Sequence, residues 1–192
     1  PLDPRAEEVY IEDIAHSLAL SCRFNGHCKV FYSIAQHSVI VSQIVKPAQQ
    51  LTALLHDSAE AYLGDIIRPI KRFLPKIKEI ENNLERVIFQ HFGIVDYDKD
   101  EISRADNIAL FTEMRDLMGK PPEKWNGYEL YHSLLPNERI IPLNITESEI
   151  LFLERYHELR RFKSSISLKH YGKPKQRRSN RISQGRNKHF SK

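Results

Sequence analysis

Several things are scarce in this 192-residue chain, and each scarcity excludes a class of protein. Cysteine occurs twice, at Cys22 and Cys28. Disulfides follow oxidising compartments, so a reduced, cytoplasmic protein is the simpler expectation. The two thiols have five residues between them and no second pair, which is not a zinc-ligand signature. No apolar run approaches the roughly 20 residues that span a bilayer, so no membrane partner is expected. No secretion signal is expected, since the first residues do not read as one. Pro1 is not a translation start, so removal of preceding residues is expected. No segment alternates apolar and polar residues as a half-buried strand does.

What is present suits one domain with a core and a tail. The net charge of +4 hides a division. Residues 163–192 hold 10 Lys and Arg and no acid, leaving 19 basic against 25 acidic residues in 1–162, a net of −6. The expected organisation is a mildly acidic domain over 1–162 and a basic, flexible tail over 163–192. Such a tail is either solvated or a contact for nucleic acid, whose backbone rewards Lys and Arg.

The apolar periodicity is helical nearly throughout. Residues 11–22 place Ile11, Ile14, Ala15 and Leu18 on one stripe. Arg23-Phe24-Asn25-Gly26 ends that helix, with Gly26 suited to a left-handed cap. Ser33 and Gln36 form a capping box opening a helix to about Val45. Pro47 suits a first turn, and the helix it opens carries Leu51, Leu54, Leu55 and Ala59 until Gly64 stops it. Further helices are expected over 76–92 and 98–118. Residues 120–144, with four prolines, are expected to form a long ordered loop. Thr146 and Glu149 are expected to cap a last helix to about Phe162. The fold class is all-α.

Within TALLHDSAEAYLGD stands the pair His56-Asp57. Asp is almost never fully buried without a partner, so the pair is hard to explain as packing. On a helix the two side chains are about 100° apart and reach one ion beside it. His37 and Asp106 lie on other apolar segments, and an Asp bordering a core needs a compensating partner. Two His and two carboxylates suit Co, Mn, Zn or Mg without choosing among them. A divalent cation is the usual source of activated water for phosphate-ester hydrolysis near neutral pH.

Glu60 shares the face of His56 and Asp57, three or four residues on, and is placed to take a proton from attacking water or to hold that water. Asp65, after Gly64, orients the water or a second cation. Arg23 and the run Arg68, Lys71, Arg72, Lys76 and Lys78 supply cations for phosphate. Several Lys after this segment suit a polyphosphate better than a monophosphate.

Together these residues resemble the HD-domain phosphohydrolase superfamily, whose pattern H…HD…D is met by His37, His56-Asp57 and Asp106. Over residues 10–162 the chain looks like the bacterial 5′-deoxynucleotidases and the phage dATP triphosphohydrolases. The resemblance implies a single all-α HD-domain bundle and a divalent metal held by His37, His56, Asp57 and Asp106. It also implies catalytic roles for Glu60 and Asp65, and phosphate contacts from Arg23 and Lys71. Phe24 stands where relatives often carry Trp and is expected to line the substrate site with Arg68 and Lys76. Ala61 departs from the HDxxED of the stringent-response hydrolases, and the GYP motif of cyclic-dinucleotide phosphodiesterases is absent. The expected function is dNTP triphosphohydrolase, with dATP preferred. The alternatives are a 5′-nucleotidase on deoxynucleoside monophosphates, a nucleic-acid-processing protein gripping its strand with the tail, and a catalytically silent HD scaffold. A homo-oligomer is implied by the resemblance alone; the expected cytoplasm would be that of the host if the chain is phage-encoded.

Overall fold

The computed structural model describes residues 1–121, 123–134 and 136–171, with side chains through residue 161. Among the described residues the chain is helical and has no strand, as the all-α reading expects. No helix is long and apolar enough to cross a membrane among them. Both cysteines are free. The rest of the basic tail, 172–192, lies outside the described residues.

Helix α1 (Ile11–Leu20) buries Ile11, Ile14, Ala15, Leu18 and Ala19, the predicted stripe plus one alanine. It stops short of residue 22 because Ser21 turns extended. Ile34 N then donates to Ser21 O at 3.0 Å, and Arg23 N donates to Tyr32 O at 2.9 Å. This lone bridge fastens Arg23 to the start of α2 (Ile34–Ile44). Ser33 caps α2 as predicted, its Oγ accepting from Gln36 N at 3.1 Å. The reciprocal half of the capping box is absent. Instead the Gln36 amide donates to Ile141 O at 2.8 Å and accepts from Leu143 N at 2.9 Å, clamping a distant loop.

The predicted helix from Pro47 to Gly64 is broken. A 3-10 turn over Pro47–Gln49 leads to α3 (Gln50–Leu54), and α4 (Glu60–Leu63) follows only after a stretch of turns. Ala53 O, the carbonyl residue 57 would use in a continuous α-helix, accepts instead from His56 Nδ1 at 2.8 Å. Tighter bonds, Ser58 N to Leu55 O and Glu60 N to Asp57 O, carry the chain through the gap. His56 and Asp57 therefore sit on a tight turn rather than on a helix. Gly64 has φ +79 and ψ 158, a combination essentially confined to glycine, and it redirects the chain at Asp65.

Short α5 (Arg68–Lys71) and long α6 (Pro75–His91) follow. Helix α7 (Lys99–Leu117) is capped by Asp98, whose Oδ1 accepts from Glu101 N at 3.0 Å. The loop expected over 120–144 contains a helical turn, α8 (Tyr128–Tyr131), and a 3-10 turn to Leu134. The last helix, α9 (Ile145–Tyr171), runs past Phe162 into the segment read as tail. Its capping box is Asn144 with Glu147, each backbone N–H bonding the other's side chain, two residues before the predicted Thr146 pair.

Helix α2 is the centre of the bundle, packed by α1, α3, α7 and α9. Ile14, Leu18, Ile34 and Phe152 are fully buried around it. Each such side chain contributes about 1.5–3 kcal/mol relative to exposure. The same helix buries polar groups, among them His37 and Ser38. A polar face at the centre of an apolar bundle must be satisfied by neighbours or by a ligand.

Candidate metal centre

His37 projects from the first turn of α2 and is fully buried. His56 approaches from the turn between α3 and α4, with ring centroids 5.3 Å apart. Both rings are fixed by the nitrogen facing away from the other. His37 Nδ1 lies 2.6 Å from Glu113 Oε1, and His56 Nδ1 lies 2.8 Å from Ala53 O. Acceptors at Nδ1 hold a proton there, so each ring's Nε2 is the nitrogen that offers a lone pair to a cation once it is deprotonated. Both Nε2 atoms are buried and make no hydrogen bond.

Two carboxylates complete the cluster. His37 Nε2 lies 3.3 Å from Asp106 Oδ1 and 3.5 Å from Asp57 Oδ2, and His56 Nε2 lies 3.2 Å from Asp57 Oδ1. Ligand atoms of His37, His56 and Asp106 all fall within 4.8 Å of one another. Two orphaned imidazole nitrogens beside two carboxylates are a donor set that fits a divalent cation. The four predicted ligands are thus brought together from α2, the turn and α7.

The electrostatics match. Burial and the Arg23 cation oppose protonation of His37, yet the Glu113 and Asp106 carboxylates outweigh them and raise it to about 9. Coordination through Nε2 requires loss of that proton. Burial also opposes ionisation of Asp106, but His37, with His56 and Arg68, holds it well below the usual carboxylate range.

Arg23 is buried, with its Nη1 3.6 Å from Asp57 Oδ2. The next residue, Phe24, has φ +56 and ψ 30, a left-handed conformation that is strained for an aromatic residue. Asn25 and Gly26 continue in positive φ, so the predicted cap is a longer left-handed turn. The Phe24 ring lies under the Arg23 guanidinium at 5.1 Å and tilts against Trp125 at 6.3 Å.

Glu60 opens α4 and is buried. Burial, with Asp57 and Asp65 nearby, pushes its carboxyl up to about 10 against the charges of Lys71 and Arg23. Burial likewise pushes Asp65 up, opposed by Arg23. Lys71 Nζ lies 3.7 Å from Glu60 Oε1 and pairs closely with Glu81. Arg68, largely exposed, pairs with Asp106 and donates to Asn107 Oδ1 at 2.9 Å. Lys76 is not brought to the cluster. It lies exposed on the first turn of α6, paired with Glu79 three residues on.

Glu113 was not singled out by the sequence, although its side chain is fully buried and bonds Arg23, Tyr32 and His37. One signal was available: Glu113 follows Asp106 by seven residues, two turns of the same helix face. Glu81, the partner of Lys71, was also missed.

The fold and the cluster define an all-α protein in which His37, His56 and Asp106 form a group that could hold a metal ion. No protein-family model matches the chain. It is 38% identical over 155 residues to the uncharacterized protein YfdR of Escherichia coli, covering 80% of this chain and 85% of that one. It is 34% identical over 132 residues to an uncharacterized protein of Rhodobacter capsulatus, covering 62% and 67%. The chain belongs to the YfdR family.

Proposed function

We propose that this protein is a metal-dependent phosphohydrolase of the HD type acting on deoxynucleotides, with dNTPs, and dATP first among them, as substrate. The observation that carries the reading is the pair of buried Nε2 atoms of His37 and His56, unbonded and facing the Asp57 and Asp106 carboxylates. His37, His56, Asp57 and Asp106 would hold the cation, which when bound supplies Lewis acidity and activates water for attack on phosphorus. Identity of the ion as Co, Mn, Zn or Mg is left to experiment by this ligand set.

The chain's own residues do the rest. Arg23 directs Nη1 to the side of Asp57, where it binds a phosphoryl oxygen and the charge that builds during P–O cleavage. Glu60 is the proton-handling group, held in a buried environment beside Lys71. Asp65 orients the attacking water from beyond Gly64. Lys71 and Arg68 stand at the rim, where their cations suit the further phosphates of a polyphosphate. Phe24 and its neighbour Trp125 offer ring faces beside the phosphate arginine for the nucleoside. The reading carries with it a cytoplasmic location, which rests on the sparse, unpaired cysteines, and a homo-oligomer, which rests on the family resemblance.

The test is incubation of purified protein with each dNTP and each dNMP in Co²⁺ or Mn²⁺, with products resolved by chromatography. Turnover of dNTPs is expected. Release of phosphate from dNMPs without dNTP turnover overturns the substrate choice in favour of a 5′-nucleotidase. Asp57→Asn is expected to lose both bound metal and turnover, and unchanged turnover in that variant sinks the metal reading.

A further inference from the structure

We infer that Glu113 is a positioning residue that couples the metal centre to the phosphate-binding arginine; the inference rests on the metal reading above. The Glu113 side chain is fully buried and touches neither the proposed ion position nor solvent. Its two oxygens divide the work. Oε1 lies 2.6 Å from His37 Nδ1 and accepts from the Tyr32 hydroxyl at 3.0 Å. Oε2 accepts from Arg23 Nε at 3.2 Å and lies 3.1 Å from Arg23 Nη2. An ionised carboxylate is acceptor-only, so all four contacts are satisfied by one group.

Two consequences follow. Accepting from His37 Nδ1 fixes the tautomer and ring orientation that point Nε2 at Asp106 and Asp57. Gripping Arg23 on two of its nitrogens turns the third, Nη1, toward Asp57. A single carboxylate on α7 thereby sets the lone pair of a metal ligand and the direction of the phosphate donor. Asp106, two turns earlier on the same helix, supplies the opposite ligand. Burying a carboxylate is costly unless every lone pair is used, which suits a group kept for what it orients.

The amide of Glu113→Gln cannot reproduce this arrangement. It has one acceptor oxygen and one donor nitrogen, so its NH₂ must face either the His37 Nδ1–H or the Arg23 N–H groups. Facing His37 it favours the wrong tautomer. Facing Arg23 it releases the fork, and in either orientation the neutral amide weakens the charge-assisted bonds that remain, so both sides loosen. Glu113→Asp keeps the charge but withdraws both oxygens by one methylene, away from His37 and from Arg23 at once.

The experiment uses the full chain stripped of metal. Co²⁺ uptake is measured by equilibrium dialysis and by the visible absorption of the loaded protein, and inorganic phosphate binding to that protein is measured by calorimetry. Circular dichroism confirms folding, and Glu113→Asp carries the test if Glu113→Gln does not fold. The expected result for Glu113→Gln is a fall of about 10–100-fold in Co²⁺ affinity, a changed Co²⁺ spectrum and a parallel weakening of phosphate binding. Wild-type affinities for both ligands in the folded variants overturn the inference and leave the metal reading intact. Loss of one affinity with the other unchanged overturns the coupling. A wild-type chain that takes up no Co²⁺ overturns the metal reading and this inference with it.

Discussion

Replacing Arg23 with methionine removes the cation that meets Glu113 Oε2 through two nitrogens, while keeping an unbranched apolar side chain in the same space. In the native protein Glu113 is met by Arg23, His37 and Tyr32 inside the bundle. Without Arg23 the Oε2 atom loses its partners and stays buried. Removing one member of a buried ion pair typically costs about 3–5 kcal/mol, because the other is left without compensation. His37 still shares the carboxylate, which places the expectation toward the lower end of that range. At about 2–4 °C per kcal/mol for a domain of this size, the melting temperature should fall by roughly 6–20 °C. The assay is calorimetric melting of metal-free protein at neutral pH. Arg86→Met is the control, since Arg86 lies exposed on α6 and bonds Asn83 and Gln90 on its own helix. Surface changes of that kind stay within about 0.5 kcal/mol. An Arg23→Met melting temperature no lower than that of Arg86→Met refutes the reasoning. Arg23→Lys should recover part of the loss, since a point charge lacks the guanidinium fork. Complete recovery would show that charge alone matters and that the fork does not.

Two further outcomes are expected. His37 is raised to about 9 and Glu60 to about 10, so in metal-free protein each contributes stability that is full below its unfolded value, near 6.5 and 4.5, and is lost as pH rises through the raised one. Melting temperatures of EDTA-treated protein should therefore fall between pH 6 and pH 9, and excess Mn²⁺ should oppose the fall; a metal-free protein that gains stability over this range contradicts the buried-site electrostatics. Gly64→Ala should cost about 1–3 kcal/mol although its Cβ would meet no neighbour, because the penalty lies in the backbone at φ +79; chemical denaturation checks it, and a variant as stable as wild type would mean the turn relaxes without cost.

Local rules carried the sequence reading far. The Ile11, Ile14, Ala15 and Leu18 stripe, the Ser33 cap and the glycine stop after Leu63 are where the pattern placed them. Each depends on residues within a turn or two of one another. The misses have the same root. The helix predicted through His56 breaks because an imidazole takes a backbone carbonyl, a competition that apolar periodicity does not register. The Gln36 amide left its capping box for a loop more than a hundred residues away, attracted by backbone groups that folding placed beside it. Lys76 belonged to a run of cations in sequence, yet the first turn of α6 carries it outward to Glu79.

The sequence by itself determined the helical class and singled out the residues proposed to bear chemistry: His37, His56, Asp57 and Asp106, with Glu60, Asp65 and Arg23 about them. Helix periodicity is a local property, and imidazole, carboxylate and guanidinium keep their chemistry wherever the chain puts them. Only the tertiary structure decided that His56 and Asp57 ride on a turn, that Arg68 covers Asp106, and that Glu113 stands behind the whole centre. Glu113 meets His37 across 76 residues and Arg23 across 90. No local pattern encodes such a meeting. The packing of α7 against α2 creates it, and burial then makes each of those contacts obligatory.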